Sequence, residues 1–232
     1  MALPRSKHPT YELILPSTGK KIKYRPWLTG EQKHLLMAMQ GGETDIMMAV
    51  KECVNACTFG ELDMINIPNF DEEYIFLQLR IKSAGQVIPL ELTCQHCEHK
   101  NEYDLDIGTV QVQTHPDHKK RIMLSEEMGC EMNYPTTEQL TYLNNNYNVQ
   151  TVYATIAQCL HSVFTSEEVN LVADETEEEL QEWMDTLSTE DLDKIEDFFR
   201  TMPVLRHEFI HKCERCDEES KFTIEGIESF FV

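Results

Sequence analysis

The sequence predicts an α+β protein: a mainly helical body with short antiparallel hairpins and a zinc-ribbon-like four-cysteine site assembled from two distant Cys-x-x-Cys half-sites. Apolar residues recur at helical spacing between 29 and 85, and again from Pro135 onward. Short alternating runs bounded by Gly and Pro punctuate these stretches and read as hairpins. Two segments, Cys94-Gln95-His96-Cys97 and Cys213-Glu214-Arg215-Cys216, repeat one design. Each follows a strand-like approach (87–93 and 204–210). Each leads into an alternating tail, Tyr103, Leu105, Ile107 and Gly108 in one case, Phe222, Ile224 and Gly226 in the other. One compact domain over 1–232 is expected. Within it lie an N-terminal hairpin at 1–28, a helical segment at 29–85, zinc-ribbon-like halves at 86–108 and 204–232, and a mostly helical acidic insertion at 109–203.

In chain order, 11–15 and 22–24 alternate around Pro16-Ser17-Thr18-Gly19, the composition of a tight turn. Arg25-Pro26-Trp27 ends this hairpin, because proline cannot donate to a ladder. Thr29 with Gln32 reads as a capping box for a helix carrying Leu35, Leu36 and Met39, which Gly41-Gly42 stops. A second helix over 45–57 places Ile46, Val50, Val54 and Cys57 on one face. Cys53 and Cys57 share that helix at metal-compatible spacing, but no third ligand joins them, so they read as buried structural thiols. Asn69 with Glu72 reads as the cap of a third helix whose face is Phe70, Tyr74, Leu77 and Ile81. Asp71, Glu72 and Glu73 suit the positive end of its dipole. Val110 and Val112 extend the strand region beyond the first half-site, and 121–124 with 131–134 reads as a second hairpin. Thr136 with Gln139 caps a short helix that Asn144-Asn145-Asn146 interrupts, and 149–164 reads as one helix with Cys159 inside. Residues 166–197 hold 14 acids and a single basic residue, Lys194. Trp183, Leu187, Leu192 and Ile195 anchor this acidic stretch, so it reads as folded, with Ser188 and Asp191 capping a helix that Pro203 stops.

Four thiolates are the soft donors that tetrahedral zinc prefers, and a two-residue gap lets both sulfurs of a pair face one ion. A shell closed by Cys94, Cys97, Cys213 and Cys216 has no open position for water or substrate. It is therefore structural rather than catalytic. It ties together positions more than a hundred residues apart, coupling metal binding to folding and pinning the base of the intervening insertion. A Cys-x-x-Cys pair is also the pattern of a redox dithiol, but there a helix follows the pair, whereas here turns and strands do. His96, His99, His207 and His211 lie close enough in sequence to replace a thiolate; the four-cysteine set needs none of them.

The formal charge is −21, from 41 acids against 20 Lys plus Arg. Such a surface repels nucleic-acid backbones and anionic membranes and favours basic protein partners. Eight cysteines in 232 residues do not make a small disulfide scaffold. Residues 1–9 lack the apolar core of a signal peptide, and no run is long enough to cross a bilayer. A reducing cytosol is the expected compartment.

The opening Tyr11-Glu12-Leu13-Ile14-Leu15-Pro16-Ser17-Thr18-Gly19-Lys20, then Ile22-Lys23-Tyr24-Arg25-Pro26-Trp27 and Glu31-Gln32-Lys33-His34-Leu35-Leu36-Met37, resembles the start of T4-type bacteriophage baseplate proteins associated with the central hub. The ending, from Cys213-Glu214-Arg215-Cys216 to Gly226-Ile227-Glu228-Ser229-Phe230-Phe231, resembles them too. The resemblance implies a non-enzymatic structural or assembly protein of a contractile tail. It would bind hub or tail proteins in the host cytoplasm during assembly, and either stay in the virion or act as a chaperone that leaves it. No family catalytic set has a counterpart here. Trp183, Phe230 and Phe231 are the candidate partner-binding residues, and zinc the candidate structural ion. Two further readings compete with this one. One is a zinc-dependent hydrolase built on His115 and His118; the other is a nucleic-acid module built on the zinc ribbon. Oligomeric state has no sequence signature.

Overall fold

The alternation at 11–24 closes a hairpin in the computed structural model, which describes residues 6–226. Strands β1 (Tyr11–Ile14) and β2 (Lys21–Tyr24) pair antiparallel, with Leu13 opposite Ile22. Gly19 takes φ +68°, a left-handed conformation that glycine adopts without steric cost. Helices α1 (Thr29–Ala38), α2 (Glu43–Cys57) and α3 (Asn69–Ala84) follow. Two expected caps move by one residue. Leu28, not Thr29, holds the cap of α1, and its N–H donates to Glu31 Oε2 at 2.7 Å. Arg25 holds that same carboxylate at 2.8 Å, which fixes where the helix starts. Pro68, at φ −56°, caps α3, so Asn69 lies inside the first turn.

Helix α3 is buried on two sides. Ile75, Phe76 and Leu79 pack with Leu13, Ile22, Tyr24, Val50, Val54 and Cys57. Leu77 packs instead with Ile88, Leu105, Ile107, Val110, Leu205 and Ile224. Asp71, in its first turn, accepts hydrogen bonds from the Ser17 N–H at 3.0 Å and from the Ser17 hydroxyl, tying the hairpin turn to the helix. Cys53 and Cys57 are buried free thiols with sulfurs 4.0 Å apart. Strands β3 (Val87–Thr93) and β4 (Lys100–Asp106) form the hairpin of the first half-site, and β5 (Gln111–Gln113) follows it.

Residues Thr114–Pro203 form one compact unit and Met1–Gln113 with Val204–Val232 the other. The inserted unit holds strands β6 (Arg121–Met123) and β7 (Met128–Met132), helices α4 (Thr137–Asn145) and α5 (Val149–Cys159), strands β8 (Leu160–Thr165) and β9 (Val169–Leu171), and helices α6 (Glu177–Asp185) and α7 (Thr189–Thr201). Its sheet runs β6-β7-β8-β9, antiparallel throughout. The helix expected over 149–164 therefore stops at Cys159. From Leu160 the burial alternates with period two, and Val163, Phe164 and Thr165 are β-branched or aromatic residues that suit a central strand. The caps expected at Thr136 and Ser188 are present: their hydroxyls accept from the N–H groups of Gln139 at 3.3 Å and Asp191 at 3.2 Å. Thr176 caps α6 in the same way, through the Glu179 N–H. Cys130, Met132, Ile156, Cys159, Met184, Ile195 and Phe198 form the core of this unit.

The chain returns as β10 (Val204–Lys212) and β11 (Glu219–Glu225). Strand β10 pairs with β11 on one side and β5 on the other, and Val204 lies opposite Gln113. The two ends of the inserted unit are therefore held by a backbone ladder. The expectation that the metal pins this base is corrected accordingly, because the cysteines lie beyond the far end of β10.

Candidate metal centre

The two half-sites are built alike. Strands β3 and β4 meet with Thr93 opposite Lys100; β10 and β11 meet with Lys212 opposite Glu219. Each hairpin tip carries one pair of cysteines. In the first, the Cys94 N–H donates to His99 O at 2.8 Å and the Glu98 N–H to Cys94 O at 3.0 Å. In the second, the Cys213 N–H donates to Glu218 O at 2.9 Å and the Asp217 N–H to Cys213 O at 3.0 Å. Glu98 and Asp217 both take positive φ, 57° and 59°, to complete the turn. The His96 N–H donates to Cys94 Sγ and the Arg215 N–H to Cys213 Sγ, each at 3.4 Å. Backbone donors aimed at sulfur favour the thiolate form.

The tips face each other. Cys94 Sγ lies 3.7 Å from Cys216 Sγ, and Cys97 Sγ 3.7 Å from Cys213 Sγ. All four ligand atoms lie within 4.8 Å of one another, and all four thiols are free. Four sulfurs around zinc at the usual bond length of about 2.3 Å would stand about 3.8 Å apart, so the donor set fits a tetrahedral soft cation. Charge makes the same demand. Burial opposes ionisation of Cys213, but the N–H groups of Arg215 and Cys216 and the thiols of Cys94 and Cys97 outweigh it and bring it down to about 6. At Cys216 the Glu218 N–H favours the thiolate, yet burial and the other three sulfurs push it up to about 12. Four sulfurs this close ionise together only when a cation sits among them.

Aromatic side chains join the hairpins next to the site. The Tyr103 ring stacks on Phe209 at 4.5 Å, and Phe209 on Phe222 at 5.7 Å. His207 and His211 belong to this stack, His211 meeting Tyr103 edge-on, rather than to the sulfur cluster. Two polar side chains bridge the halves: the exposed Gln95, whose Nε2 donates to Lys221 O at 3.3 Å, and the buried Asn101. Asn101 is buried; its Nδ2 donates to Leu92 O at 3.3 Å and His99 O at 3.2 Å, and its Oδ1 accepts from the Glu214 N–H at 3.0 Å. Sequence reasoning missed it. A signal was available: Asn101 and Ser220 each stand seven residues after the first cysteine of their pair. Ser220 is also buried, but too short to reach across, and its hydroxyl has no partner among the described residues.

The other candidates lie elsewhere. His118 is committed to the inserted unit's own packing, with Nδ1 3.0 Å from Thr201 Oγ1 and Nε2 3.0 Å from the Tyr134 hydroxyl. His115 sits on the surface turn, 3.9 Å from Asp117. Neither ring belongs to a metal-ligand cluster among the described residues, which removes the basis of the hydrolase reading. Trp183 is half-buried beside the core of the inserted unit, and its indole N–H is buried without a partner among the described residues. Phe230 and Phe231 lie outside the described residues.

No helix among the described residues is long and apolar enough to cross a membrane. No curated protein and no solved structure matches the chain. The family model described as T4 bacteriophage base plate protein matches residues 8–232, which takes in both compact units. The sulfur cluster is coordinative rather than catalytic, and the match spans nearly the whole length: the chain belongs to the T4 bacteriophage base plate protein family and is a non-enzymatic structural or assembly protein of the baseplate.

Proposed function

We propose that the chain acts at the hub of a contractile-tail baseplate as a zinc-braced connector that binds other tail proteins. Cys94, Cys97, Cys213 and Cys216 would hold one structural Zn²⁺, which locks two hairpins into a rigid platform. The observation that carries this reading is the convergence of four thiols, from pairs 116 and 122 positions apart in sequence, at tetrahedral spacing. A closed shell braces a scaffold and leaves no position for substrate. The charge of −21 favours protein partners over nucleic acid or anionic membranes. Trp183, Phe230 and Phe231 are the residues assigned to partner contacts. The work would be done in the host cytoplasm during assembly.

Affinity purification of the tagged chain from phage-infected cells, with and without a zinc chelator, tests this reading. Hub or tail proteins should co-purify with the metal-loaded chain and fall away after chelation. Recovery of no tail protein under either condition would overturn it. Mass spectrometry of purified particles then separates a resident component, present in the virion, from an assembly factor that departs.

A further inference from the structure

One edge of the inserted unit's sheet is open. In the order β6-β7-β8-β9, strand β9 is hydrogen-bonded on one side only. The Thr165 N–H donates to Glu168 O at 2.9 Å, and Val163 stands opposite Asn170. Antiparallel ladders alternate, so Asn170 turns its backbone groups toward β8, and Val169 and Leu171 turn their N–H groups to the free edge. These two residues are 63% and 43% exposed. Lysine, proline or a bulge commonly blunts such an edge; β9 is short but carries none of them.

A cavity of about 200 Å³ adjoins the strand. Asn170 lines it from β9, Val172, Leu180 and Trp183 give it an apolar wall, and Glu175 and Glu179 bring carboxylates. The Glu175 carboxylate has no partner among the described residues, and Glu179 engages Thr176 through Oε2 alone. Residues 166–182 hold eight acids and no Lys or Arg, and among the described residues none of the eight is ion-paired. Neighbouring strands lie about 4.8 Å apart, so a strand added to β9 would carry every second side chain past this cavity.

We propose that β9 and the cavity beside it take an extended, basic segment of another protein, which adds to the sheet as a short fifth strand. Each feature selects part of that occupant. Free backbone N–H groups ask for an extended peptide. The carboxylates ask for Lys or Arg, and the apolar wall for the hydrocarbon stems that carry those charges. Nucleic acid would bring phosphates against eight carboxylates, and a second copy would bring a net −21. The chain's own basic edge, at β6, has Lys120 and Arg121 placed over the Tyr134 and Phe164 rings. The proposal rests on the reading of this chain as a binder of tail proteins and gives the chemistry of one such contact.

Fluorescence anisotropy of the full chain with a labelled short peptide of alternating arginine and valine, at about 0.15 M salt, tests it. The same peptide N-methylated along its backbone keeps the charge and loses the donors. Leu171→Pro removes one edge N–H without changing charge, and Leu171 already has φ −81°, close to what proline adopts. The unmethylated peptide should bind, and N-methylation and Leu171→Pro should each weaken binding about tenfold or more. Glu175→Gln should weaken it several-fold. A parent chain that binds neither peptide would overturn the proposal, and so would equal binding of the two, which is attraction by charge alone. If Leu171→Pro alters the circular dichroism, the peptide pair decides. The assay uses no tail protein, so its failure leaves the co-purification result, and the reading which that result tests, untouched.

Discussion

Asn101 uses both ends of its amide across the cysteine site: the nitrogen fastens its own hairpin and the oxygen holds the Glu214 N–H of the other. Truncating it removes the bond between the Glu214 N–H and the first hairpin and frees the second pair of cysteines to drift. Asn101→Ala should therefore weaken zinc binding about tenfold or more, read by competition with a chromogenic chelator, with all four ligands intact. An unchanged affinity would show that the sulfurs align without it. The four cysteines were legible in the sequence because a two-residue spacing used twice is a metal pattern in itself. Asn101 was not, because a lone polar residue in a strand has no signature until the facing hairpin is known. His118 makes a second case. Burial, then Lys120 and His115, hold its imidazole below the usual range. Its unfolded value is about 6.5, so the unfolded chain binds the proton first as pH falls. The neutral ring's contribution is complete above that pH and is lost below it, down to the folded value. Denaturation of the parent should grow easier below about pH 6.5, and His118→Gln should flatten that dependence. Parallel pH curves for the two would contradict this assignment.

Periodicity explains which elements could be read ahead. The 11–24 hairpin, the helix over 45–57 and the Ser188 cap announce themselves by clean alternation, a clean stripe and a capping pair. Strand β8 did not, because Val152, Ile156, Leu160 and Val163 continue a helical stripe through a stretch where Phe164 and Thr165 favour a strand. The partner strand decided the outcome: Cys130 and Gly129 of β7 lie opposite Val163 and Phe164. Gly129 is where that pairing is tightest. A Cβ built there would stand 2.5 Å from both Ile122 O and the Phe164 ring. Backbone cannot yield as a side-chain tip does, so Gly129→Ala should lower stability by about 1–3 kcal/mol, measured by urea denaturation. A loss below a few tenths would mean the sheet opens there at little cost. Helix α3 shows another limit. One apolar stripe, Phe70 to Ile81, was visible, yet the helix serves two cores, and a helix buried on two sides lacks the polar face that marks amphipathic ones.

For the whole molecule, two devices act at different places along the chain. The β5–β10 ladder closes the ends of the inserted unit, and the sulfur cluster closes the hairpins beyond it. Metal loss should therefore loosen the hairpins while the ladder still holds the ends of the inserted unit. The chain belongs to a baseplate protein family, and its four-cysteine cluster has the geometry to coordinate a metal. X-ray absorption at the zinc edge, on protein purified without added metal and with its metal content quantified, examines that cluster itself. One zinc per chain with four sulfur neighbours at about 2.3 Å is the expected spectrum. A metal-free protein, or a zinc whose neighbours include nitrogen or an exchangeable water oxygen, would contradict it.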